Sequence, residues 1–110
     1  LAEIYVASDI RARFPEGSES TRKIAYLVHA YAPEAMHRMQ QTMTVAPADL
    51  VLAKLLQCSL ATPMAHVVRR IFDRHHRLAM AGLFWYRGDR FVADIEIPYE
   101  LWLNDSVTAA

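Results

Sequence analysis

Few of the 110 residues have the type and setting for chemistry. Arg69 falls at period two with Val67 and Ile71, on an otherwise apolar strand face, where a buried charge needs a partner or a ligand. Its guanidinium presents a fork of donors that suits a carboxylate or phosphate. Asp89 or Glu3 would serve equally well as a structural ion-pair partner. Ser20, Thr21 and Lys23 stand before an apolar helical run, where unpaired amides and the helix dipole favour an anion; capping by Ser20 or Thr21 is the plainer use. Tyr86 and Arg90 bracket an Arg-Gly-Asp turn. The tyrosine could offer its hydroxyl to a ligand while its ring packs, and Arg90 with Asp89 could simply brace the turn.

Other reactive residue types carry less. Of the histidines His29, His37, His66, His75 and His76, only the last two are adjacent, and sequence neighbours at a turn point apart, so no metal site is expected. Cys58 is the lone cysteine and reads as a small buried hydrophobe. The chain shows no nucleophile elbow, phosphate-binding glycine loop, zinc-spaced set or dinucleotide fingerprint, so no cofactor and no catalytic residue is expected. The adhesion-like tripeptide at 87–89 is taken as coincidence.

These groups belong to an ordinary globular chain. Hydrophobic residues make up 54% and charged residues 22%. One domain of this length buries about two-thirds of its unfolded surface. No apolar run approaches the roughly 20 residues a bilayer requires, and no signal peptide opens the sequence, so a cytoplasmic protein is expected. Twelve basic and twelve acidic residues leave no net charge. An independent DNA-binding domain usually shows a basic face, so any DNA contact would belong to another segment. The chain starts at Leu1, without Met, directly in a strand-like run, which reads as a fragment.

The elements follow from periodicity. Ala2–Val6 reads as a strand, followed by an irregular SDIRARF, and PEGSES as a loop. Ile24, Leu27, Val28 and Tyr31 form one helical stripe that ends near Pro33. His37, Met39, Gln41, Met43 and Val45 share a face at period two, giving a strand over Ala35–Val45. Pro47 suits the first turn of a second helix, Asp49 complements its dipole, and Leu50, Leu52, Ala53, Leu55 and Leu56 form its apolar side. Met64–Asp73, Leu78–Tyr86 and Phe91–Ile97 read as a meander of three antiparallel strands, with Gly88 supplying permissive backbone at their second connection. Antiparallel strands with helices laid on one side give an α+β domain.

The run PMAHVVRRIFDRHH followed by LAMAGLFWYRGDRFVADIEI resembles the last hairpin of a UTRA domain, the small-molecule sensor of GntR-type bacterial transcription regulators of the HutC subfamily. LAEIYVASDIRARFP is similar to the strand and loop before that domain's central helix, and TVAPADLVLAKLLQC to its second helix, so the resemblance covers roughly residues 1–97. It implies a chorismate lyase-like fold, whose halves are related as the echo between LAEIYVASDIRARF and LAMAGLFWYRGDRF suggests. It implies a winged-helix DNA-binding domain upstream of a single effector-binding domain at 1–110, which touches DNA only through that other domain.

The resemblance also implies roles. Arginines on the strand of Arg69 hold anionic effectors in such sensors. Glu3 and Tyr5 match an acid and aromatic that meet effector hydroxyl or amide groups. Tyr86 and Arg90 match the family's YRxDRY ending, and Thr21 and Lys23 lie where relatives that sense sugar phosphates bind them. A Glu found in amino-sugar sensors is Met80 here, which favours a more apolar or aromatic effector. The expected function is effector binding and dimerisation, with Arg69, Tyr86, Arg90 and Glu3 converging on one cavity around a small anionic metabolite. A chorismate lyase-like enzyme acting on a small aromatic acid is the rival, and a ligand-free interaction module a third reading.

Overall fold

A computed structural model of the chain describes residues 1–100. Strand β1 (Ala2–Val6) leads into a one-turn helix α1 (Ser8–Arg11); α2 spans Ile24–Tyr31 and α3 spans Leu50–Leu55. The remaining strands are β2 (Arg38–Pro47), β3 (Pro63–Phe72) and β4 (Leu78–Arg87), with short 3-10 turns at Ser18–Ser20, Pro33–Ala35 and Gly88–Arg90. The four strands form one antiparallel sheet in the order β1-β4-β3-β2. The architecture is the α+β class expected from antiparallel strands with helices packed on them.

Directly paired residues point to the same side of a sheet. Ile4 pairs with Gly82, Gly82 with Arg69, and Arg69 with Gln41, so these four share a face with Val6, Met80, Phe84, Val67, Ile71, Met39 and Met43. Glu3, Tyr5, Leu83, Trp85, His66, Met64, Gln40 and Thr42 take the other. Helix α2 covers the first face: Val28 and Ala32 pack with Ile10, Ala79 and Met80, against Val6 and Ile71. Helix α3 covers the second, where Ala53, Leu52 and Leu56 pack with Met64 and Trp85. The expectation that both helices lie on one side is thus corrected. The central strands carry apolar residues on both faces, and a strand of that kind needs cover on both.

The largest correction concerns Phe91–Ile97, which is not a strand. Strand β4 is already paired on both edges, by β3 and by β1, and Trp85 N donates to Leu1 O at 2.9 Å beyond the end of β1. No edge of β4 is left for the chain that follows it. Gly88 accordingly opens a 3-10 turn and has no positive φ; a Cβ there would lie 2.6 Å from the Pro63 carbonyl oxygen.

Local chemistry departs from expectation at several ends. SDIRARF is partly helical, as α1. Lys23 is the N-cap of α2 with no side-chain cap, while Ser20 Oγ and Thr21 Oγ1 donate backwards, to Gly17 O at 2.7 Å and Ser18 O at 3.2 Å. Pro47 ends β2 instead of opening α3, and Asp49 caps α3 by accepting from Leu52 N at 2.8 Å. The DRHHR connection is a tight turn as expected. Asp73 Oδ1 accepts from the amides of His75 and Arg77 at 2.8 and 3.0 Å.

Candidate functional site

Arg69 projects from β3 on the α2 face, directly opposite Gly82 on one side and Gln41 on the other. Phe84 lies two residues beyond Gly82, and its ring folds over the glycine: a Cβ at Gly82 would meet Phe84 Cε2 at 2.7 Å. The guanidinium of Arg69 takes up the space above that ring, 5.2 Å from its centroid, a cation–π arrangement. Its Nε donates to Gln41 Oε1 at 2.7 Å. The side chain is exposed, and among the described residues no carboxylate lies within ion-pair distance of it. Neither Asp89 nor Glu3, the partners weighed from sequence, reaches Arg69.

Two cavities meet at Arg69 and Gln41, which line both. One, of about 350 Å³, lies between the sheet and the start of α2, and is otherwise apolar, with Met36, Met39, Ile71, Met80 and Phe84 in its walls. The other, of about 250 Å³, is bordered by residues 91–95, with Val67, Met43 and Asp94 in its lining. The segment expected to extend the sheet therefore crosses its face, beside Arg69. A site of this kind, mostly apolar with a few fixed polar groups, is the usual form of a small-molecule pocket.

The other expected site residues are dispersed. Glu3 and Tyr5 do share a face, as their alternation requires, but it is the α3 face, opposite Arg69. There Tyr5 OH donates to Glu3 Oε2 at 3.0 Å, and that hydrogen bond to the charged acceptor raises the Tyr5 pKa. Tyr86 is on the Arg69 face beyond Phe84, its ring 6.4 Å from that of Phe84 and 5.1 Å from that of Phe91. Arg90 sits in the turn and lines neither cavity. The turn is braced by Arg87, whose Nη2 is 2.7 Å from Asp89 Oδ2, a contact that lowers the Asp89 pKa. Thr21 and Lys23 are exposed at the α2 start and line neither cavity. The expected convergence of Glu3 with Arg69, Tyr86 and Arg90 does not occur, because alternation places side chains on a face only once the register is known.

From sequence, Gln41 is only one of five residues sharing the β2 face, and Phe84 and Gly82 carry no expected role. A glycine two positions before a phenylalanine within an apolar strand was the available signal for close packing over the glycine. A roomier cleft of about 590 Å³ opens at the Pro63 end of the sheet, lined by Cys58, Thr62, Met64, Arg87, Asp89 and Phe91. Its arginine, Arg87, is paired with Asp89, whereas Arg69 has no acid partner among the described residues.

The UTRA domain family model matches residues 6–92. This chain belongs to the UTRA domain family. Its fold is shared with solved regulators. The UTRA chain superposes on a GntR-family transcriptional regulator from Enterococcus faecalis with a TM-score of 0.72 at 14% identity, over 87% of this chain and 68% of that one. PhnF from Mycobacterium smegmatis gives 0.67 at 22% identity, over 89% and 43%. A transcriptional regulator from Streptomyces coelicolor gives 0.67 at 20% identity, over 83% and 59%. The UTRA chain therefore spans between 43% and 68% of the length of these proteins. No curated protein matches it. No helix among the described residues is long and apolar enough to cross a membrane.

Proposed function

We propose that this UTRA domain is the effector-binding and dimerisation part of a GntR-type transcription regulator of the HutC subfamily. A small anionic metabolite binds in the groove between α2 and the sheet. The change it makes is passed to a winged-helix domain elsewhere in the parent protein, which alone contacts DNA in the cytoplasm. One observation carries this reading: Arg69, a cation with no acid partner among the described residues, stands where two cavities meet on the face of a family sensor fold. The groove offers a guanidinium and an amide to hold an anion. In the larger cavity the methionine, isoleucine and phenylalanine walls provide contact and no acid, which favours binding there over the lyase-like alternative.

The test is a thermal-shift screen of anionic metabolites, followed by calorimetric titration of the best stabiliser. Arg69→Ala is expected to retain the fold and to weaken binding about tenfold or more, the loss of a charge-assisted contact worth roughly 1.5–3 kcal/mol. Unchanged affinity in the folded variant would place the site elsewhere.

A further inference from the structure

We infer that the Arg69 groove selects a small carboxylate with an apolar body over a sugar phosphate, and that Gln41 sets the orientation of the anion-binding donors. This inference rests on the effector-binding reading and adds the ligand class.

The hydrogen bond between Arg69 and Gln41 fixes more than one side chain. Arginine has no acceptor, so Gln41 must turn its carbonyl oxygen towards Arg69 Nε. Its amide nitrogen, a pure donor, is left free for a ligand. With Nε engaged, Arg69 keeps its two Nη groups for an incoming oxygen pair, and the Phe84 ring beneath holds the guanidinium plane in place. Donors from Arg69 and Gln41 thus border the same space, and a carboxylate fits them with one charge against one charge. A phosphate dianion would bring a second charge with no second cation in the larger cavity.

The rest of that cavity decides the body of the ligand. Beyond Gln41 and Arg69 its side chains are apolar, Met36, Met39, Ile71, Met80 and Phe84 among them. Sugar hydroxyls placed there would lose water and find no acceptors, a cost incurred for each unpaired group. Methionine and phenylalanine instead adapt to aliphatic or aromatic carbon.

The walls supply their own reporters. Met36, Met39 and Met80 line the larger cavity, whereas Met64 lies on the opposite face under α3. In the 110-residue chain carrying ¹³C-methyl methionine, benzoate and hexanoate are expected to shift the Met36, Met39 and Met80 methyls and not Met64. They should bind at least tenfold more tightly than glucose 6-phosphate. Gln41→Glu sets a carboxylate against Arg69 and should weaken both acids at least tenfold, while the weak response to uncharged benzyl alcohol stays as in the wild type. Glucose 6-phosphate binding at these methyls as tightly as benzoate would overturn the carboxylate class and leave the effector reading standing. No response to any of these probes would overturn both. Equal loss of benzyl alcohol in Gln41→Glu would show that Gln41 only maintains the groove, and would overturn its orienting role.

Discussion

A methyl group on Gly88 would press 2.6 Å from a backbone oxygen, that of Pro63, whereas one on Gly82 would press 2.7 Å from the tip of the Phe84 ring. The distances are alike but the obstacles are not. A ring tip can swing away about χ1, while the Pro63 carbonyl belongs to the first residue of β3 and moves only with the strand. Gly88→Ala should therefore destabilise by an overpacking cost of about 1–3 kcal/mol, and Gly82→Ala by less. Urea unfolding of the two variants checks the order, and a larger loss for Gly82→Ala would contradict it. Gly82→Ala should nevertheless disturb the groove, because the displaced Phe84 ring is the surface on which Arg69 rests.

The short helices depend on their attachments, since a helix of six residues such as α3 is not stable alone. Asp49 accepts from Leu52 N at its start, and Asp49→Ala should cost about 1 kcal/mol in chemical denaturation. A loss near zero would mean that packing against Met64 and Trp85 alone holds α3. Helix α1 is tied differently, by the ion pair between Asp9 and Arg77 of the β3–β4 turn, where Arg77 Nη1 donates to Asp9 Oδ2 at 2.8 Å. The Arg77 hydrogen bond lowers the Asp9 pKa from 3.8 to about 2. A carboxylate depressed in this way stabilises the fold above its unfolded pKa, and the contribution is lost as pH falls through the folded value. The melting-temperature gap between wild type and Asp9→Asn should thus be constant above pH 4 and close towards pH 2. Because the pair is exposed, the gap should be small and shrink with salt. A gap that persists at pH 2 would assign the effect to something other than the carboxylate charge.

At the scale of the molecule the sheet leaves much surface uncovered. The radius of gyration is 16.5 Å, against about 13 Å for a compact domain of 100 residues. Strand β2 lies at one end of the strand order, and its Met39, Met43 and Val45 are 62%, 46% and 78% exposed. A ten-residue edge with an apolar side is a template for pairing with another chain. It fits the homodimer proposed for this domain. Sedimentation at high micromolar concentration should show self-association that Met43→Lys weakens, because a lysine on an edge opposes pairing. A monomer under those conditions, or association indifferent to Met43→Lys, would remove β2 from the interface.

By itself the sequence determined the local periods and what followed from them: the strand patterns of β1 to β4, the apolar stripes of α2 and α3, and through the spaced residues of the last hairpin the family and its α+β class. It also singled out Arg69, because a charge on an apolar strand face stands out without any coordinates. It could not say that β1 returns to pair with β4, and so read Phe91–Ile97 as the missing neighbour. Nor could it say that Glu3 and Arg69 face opposite sides, that Gln41 is opposite Arg69, or that Phe84 lies over Gly82. Periodicity is a property of neighbours along the chain, whereas strand order and register are settled by contacts between residues far apart in it, such as Gln41 and Arg69. The site is made of those contacts, and only the folded sheet decides which side chains share it.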